Sequence, residues 1–102
     1  MTMVQEKTVV LTNKQAAEVV DILQSIKVVA VQQRNKPEAK LMTNLRRVIL
    51  RGNIYNECVT FTTSMANLFG IFLAIDTYIT FLRETGHSAE EPMYNEIIAA
   101  IR

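Results

Sequence analysis

Apolar residues in the first third of the chain recur at helical spacing. Ala16, Val19, Val20, Leu23, Ile26, Val29 and Ala30 follow the i, i+3, i+4, i+7 template, with Lys14, Glu18, Asp21 and Ser25 on the wet side. Thr12 and Gln15 have capping-box spacing, which predicts a first helix over 12–33. The β-branched run from Lys27 to Val31 would also suit a strand, but the continuing stripe favours helix. In front of Thr12, Lys7 to Leu11 is β-prone and forms an extended arm within 1–11. A single strand has no ladder of its own, so Thr8 to Leu11 either pairs with another chain or packs on its own domain.

Pro37 disfavours helix at Lys36 and suits the first turn of a second helix, placed over 37–51. Leu41, Leu45, Val48 and Ile49 form its apolar face, and Gly52-Asn53 is its stop. From Ile54 onward, apolar residues recur at Ile54, Cys58, Phe61, Met65, Leu68, Phe72, Ile75, Ile79 and Leu82, in alternating steps of four and three. This is a heptad seam, and with Gly86 as C-cap it predicts a helix over 54–85, about 45 Å long. A last helix over 89–101 follows, with Ser88 and Glu91 at capping-box spacing, Pro92 as an alternative first-turn marker, and a stripe of Tyr94, Ile97, Ile98 and Ile101. The expected architecture is therefore all-α, a single domain over 1–102: a small antiparallel bundle of about four helices with one long central member and the short N-terminal arm.

Leu68 to Ile75 carries nothing polar on any side, and a helix apolar all round is surrounded either by protein or by lipid. Opposite the seam, Ala66, Gly70 and Ala74 recur every four residues behind Thr62, a row that admits a close helix crossing. The seam alone fits an intrachain core. Both faces together exceed what two flanking helices and a short third can cover, so a second copy is the economical cover. The expected oligomer interface comprises Phe61, Met65, Ala66, Leu68, Gly70, Phe72, Ala74, Ile75 and Ile79. The competing reading makes Val59 to Leu82 a membrane span flanked by Arg46, Arg47 and Arg51; Asn67, Asp76 and several threonines oppose it.

Composition limits function without naming it. The chain has 102 residues, 49% apolar and 21% charged, with 11 basic and 10 acidic side chains. It is too apolar for disorder and too evenly charged for a simple DNA-binding domain, and the break before Pro37 separates helices too long for a helix-turn-helix. One cysteine, Cys58, excludes an intrachain disulfide and suits a reducing compartment. Met1 to Val10 lacks a signal-peptide core, Thr2 stands where myristoylation needs glycine, and the chain ends without a CaaX box. A cytoplasmic location is the expectation.

No catalytic, cofactor or metal motif emerges. His87 is the lone histidine and sits in a turn, Cys58 falls on an apolar seam, and Glu90-Glu91 fits the first turn of a helix. Gly52, Gly70 and Gly86 form no phosphate loop. Asp76, set in an apolar stretch, is expected to pair with Arg46, Arg47 or Arg51. Lys40, Arg46, Arg47 and Arg51 are a solvated face or, in an oligomer, a basic pocket for phosphate or a nucleotide. The leading expectation is a non-enzymatic, self-associating interaction or adaptor protein that also binds another protein. The alternatives are an oligomeric binder of an anionic small ligand and a small membrane protein.

Overall fold

The computed structural model describes residues 5–102. The first four residues of the expected arm lie outside that range. The element order is β1 (Glu6–Thr12), α1 (Asn13–Gln32), α2 (Lys36–Leu50), β2 (Asn53–Tyr55), β3 (Cys58–Ser64), α3 (Met65–Glu84) and α4 (Glu91–Ile101), with a 3-10 turn at Ser88–Glu90 before α4. The described residues are 70% helical but also hold a three-stranded antiparallel sheet, so the all-α expectation is overturned. The strand order is β1-β3-β2.

Local chemistry starts each helix. Thr12 and Gln15 form the full capping box: the Gln15 N–H donates to Thr12 Oγ1 at 3.0 Å and the Thr12 N–H donates to Gln15 Oε1 at 3.0 Å. The helix then runs unbroken through the β-branched stretch to Gln32. Arg34, at φ 57°, turns the chain back, and Asn35 caps α2 by accepting from the Glu38 N–H while its own amide donates to the Glu38 carboxylate. Pro37 occupies the first turn, as its missing N–H allows. At the last helix the expected Ser88 cap is not made; no side chain caps either the 3-10 turn or α4. Instead Glu91, in the first turn of α4, accepts from Arg83 at the end of α3 (2.8 Å), a pairing that raises the Arg83 pKa further.

The largest correction concerns 54–64. Asn56 and Glu57 both have positive φ, 50° and 61°, and together form the two-residue turn of a β-hairpin between β2 and β3. In β3, Val59, Phe61 and Thr63 point inward and are buried, whereas Thr60 and Thr62 alternate with them on the other side. The helix begins only at Met65, behind Ser64, whose hydroxyl accepts from the Asn67 N–H at 3.1 Å. Two features therefore disqualify Ile54, Cys58 and Phe61 from the heptad seam. The Thr- and Val-rich run prefers a pleated surface, and β3 supplies the ladder that β1 needs. All seven residues of β1 pair with β3, from Glu6 opposite Ser64 to Thr12 opposite Cys58. The N-terminal strand thus pairs within its own chain.

The helices gather on the inner face of this sheet. Val9 and Leu11 from β1 and Val59 and Phe61 from β3 join one core with Val19 and Leu23 of α1, Leu45 of α2, Ile71 and Ile75 of α3, and Ile97 of α4. Tyr94 is buried where α4 meets α1, with its ring edge on Tyr78 (5.1 Å between centroids) and its hydroxyl donating to Glu18 at 3.2 Å. Burial pushes that hydroxyl far above the ordinary phenol range. The outer face of the sheet has no helix over it; there the Thr8 and Thr62 hydroxyls share a 2.7 Å hydrogen bond and Val10 is exposed.

Two glycines mark close approaches within the chain. A Cβ on Gly52 would stand 2.7 Å from Val59 Cγ1 and 2.9 Å from the Thr60 carbonyl oxygen, because the end of α2 turns directly onto β3. On Gly70, the nearest atom would be Leu45 Cδ1 at 3.2 Å. The close crossing expected at Gly70 is therefore with α2 of the same chain. Gly52→Ala should cost about 1–3 kcal/mol in urea unfolding, since backbone must shift. Gly70→Ala should fall within about 1 kcal/mol of wild type, helix propensity offsetting a small leucine movement. Glu57→Gly should raise stability by about 0.5–1 kcal/mol by relieving a left-handed non-glycine residue.

Candidate functional site

Two surfaces outside the core carry sequence-predicted site residues. The first is the outer face of α3. Of the nine residues expected at an oligomer interface, Phe61, Leu68, Ala74, Ile75 and Ile79 are buried in the chain's own core. Phe72 packs partly against that core, and Gly70 faces Leu45. Only Met65 and Ala66 are exposed. The seam residues on α3 are thus largely intrachain, Met65 at its start excepted, while apolar residues off the seam meet water: Phe69 is 59% exposed and Phe81 53%, with Leu73 close behind. Sequence periodicity finds the buried stripe and gives no weight to the remainder of an apolar run.

Shallow grooves flank this face. Phe69 and Phe72 border one with Ile101 and Arg102, and the Arg102 guanidinium lies 6.0 Å from the Phe72 ring centroid. On the other side Leu73 and Thr77 border a second with Leu41 and Met42 of α2. Asp76 is exposed on the same face, and no Lys or Arg among the described residues lies within ion-pair distance of it. The pairing expected with Arg46, Arg47 or Arg51 is not formed, because Asp76 faces out from α3 and is not enclosed by the core. Among the described residues α3 is the one helix long and apolar enough to cross a membrane, but Val59 to Ser64 of the expected span are strand.

The second surface is a groove of about 550 Å³ between the C-terminal half of α2 and β3. Asn44, Arg47, Val48 and Arg51 line it from the helix, Gly52 and Asn53 from the connection, and Thr60, Phe61 and Thr62 from the strand. Of the four basic residues grouped by sequence, Arg47 and Arg51 share this groove, one helical turn apart. Lys40 and Arg46 do not line it, and the Arg46 Nε is buried without a hydrogen-bond partner. No carboxylate among the described residues pairs with Arg47 or Arg51.

Ladder phase shows what the strand contributes. The Met65 N–H donates to the Gln5 carbonyl and the Asn13 N–H donates to the Glu57 carbonyl, so odd-numbered residues of β3 direct their backbone groups toward β1. Even-numbered residues direct theirs the other way. Thr60 and Cys58 meet β2 there, but β2 ends at Asn53, opposite Thr60. Thr62 therefore presents its N–H and carbonyl to the groove with no strand beside it. The sequence carried no hint of this edge, because it exists only once 54–64 is a hairpin.

The chemically reactive residue types are dispersed. Cys58 is half-buried at the start of β3, and His87 is exposed, 3.7 Å from Glu90. Among the described residues, no group of three His, Cys, Asp or Glu side chains converges as a metal site. Amide exchange followed by NMR should show Thr62 exchanging at least about tenfold faster than Phe61 and Thr63, whose N–H groups are in the β1 ladder. No protein-family model, curated protein or solved structure matches this chain, so a functional reading rests on its own surfaces.

Proposed function

We propose that the chain is a self-associating protein-interaction module, in which a second copy covers the outer face of α3. The observation that supports this most directly is the row of Met65, Phe69 and Leu73, large apolar side chains about half exposed along one side of a helix that is otherwise core. Burying the half of each side chain now in water is worth about 1 kcal/mol per residue, and Phe81 extends the row toward the helix end. Asp76, Thr77 and Thr80 on the same side favour a protein neighbour over hydrocarbon.

A two-fold pair also satisfies the charges. If two α3 helices cross antiparallel with Leu73 on the axis, Asp76 of one copy lies opposite Gly70 of the other. That is about 3 Å along the axis from Phe72, over which the Arg102 guanidinium rests. The unpaired carboxylate of each copy then meets the guanidinium of the other at the rim of an apolar centre. A dimer of this kind leaves the α2–β3 groove open on both copies, where a further protein can dock.

Light scattering after size exclusion should give twice the 11.6 kDa chain mass at micromolar concentration. Leu73→Glu, at an exposed position that leaves the fold intact by circular dichroism, should weaken the dimer by at least about thirtyfold, or about 2 kcal/mol. A monomeric wild type, or a Leu73→Glu protein that dimerises as well as wild type, would overturn this reading.

A further inference from the structure

The α2–β3 groove combines two features that independently call for a ligand. One is an interrupted sheet edge, where the Thr62 N–H and carbonyl lack the strand that Cys58 and Thr60 have in β2. The other is a pair of guanidinium groups, Arg47 and Arg51, on the facing helix wall with no carboxylate partner among the described residues. We propose that this groove takes an extended acidic peptide of a partner protein as an added strand, with Arg47 and Arg51 each holding one of its carboxylates.

The spacings agree. Arg47 and Arg51 are one turn apart, about 6 Å along α2. Side chains on the same face of a strand, two residues apart, are separated by about 6.7 Å. A segment with Asp or Glu at alternate positions therefore presents carboxylates at the pitch of the two arginines, and each can be bound through paired N–H donors. Its main chain meanwhile continues the ladder at Thr62. Asn44 and Asn53, which also line the groove, carry amide groups that can donate or accept. The groove's volume of about 550 Å³ accommodates a short stretch of chain. This site is separate from the face assigned to self-association, and either can fail without the other.

The test uses the intact protein and a capped seven-residue peptide alternating glutamate with valine. Titration followed by NMR should give saturable binding, with the Thr62 amide slowed in exchange at saturation. The same peptide with lysine in place of glutamate should not bind. Methylating the peptide amides that would face β3 should weaken binding by at least about tenfold, since the added ladder needs those N–H groups. Arg47→Gln with Arg51→Gln should weaken it by a similar factor; if that variant does not fold, the N-methyl comparison on the wild-type protein decides. Equal affinity for the methylated peptide overturns the proposal, as does an absence of binding at millimolar peptide. It is also overturned if inorganic phosphate alone reproduces the shifts and displaces the peptide with no loss of Thr62 protection, which would mark a small-anion site.

Discussion

The antiparallel ladder between β1 and β3 is the interaction on which the rest of the molecule depends. It joins residues some fifty positions apart, with Thr8 and Thr62 hydrogen-bonded across it, and it lays Val9, Leu11, Val59 and Phe61 on one side as a platform for all four helices. Nothing else ties the start of the chain to its middle so extensively. The α1–α2 hairpin is built from contacts close in sequence, and its closure brings the two strands near each other. Chain entropy favours that order, since the long loop between β1 and β3 is shortened by a preformed helical pair.

How much of this was legible from the residues differs sharply by element. The capping box at Thr12, the Asn35-Pro37 restart and the Gly52 stop are local devices, and each stands where its side-chain chemistry puts it. The segment from Ile54 to Ser64 reads as helix by sequence because its apolar positions satisfy two periods. Ile54, Cys58 and Phe61 fit steps of four and three, while Val59, Phe61 and Thr63 fit a step of two, and only the second is used. Composition distinguishes the two: all five residues from Val59 to Ser64 other than Phe61 are Val, Thr or Ser, and Ser64 stands three before Asn67 as a helix cap. The turn gave a weaker signal, since Glu57 occupies a left-handed position where glycine is the usual residue.

The candidate surfaces are legible in part for the same reason. Arg47 and Arg51 belong to the basic group that the sequence marks, and they share a groove. Their neighbours there come from β3, across a sheet that helical periodicity does not predict. On α3, periodicity identified the side that is buried, and the apolar excess that pointed to a neighbour lies on the opposite one, at Phe69 and Leu73. An all-round apolar helix raises the question of what surrounds it; the fold answers for one half and leaves the other half exposed.

The shortness of β2 has a consequence for behaviour in a crowded solution. An interrupted sheet edge is ordinarily an invitation for identical chains to stack through their backbones. Here two such edges could meet only by crowding four guanidinium groups, from Arg47 and Arg51 of each copy, into one cleft. The same side chains that recommend the groove to an acidic strand thus act as gatekeepers against its own kind. Identical copies are steered away from this edge, which leaves the exposed side of α3 as the face proposed for their contact.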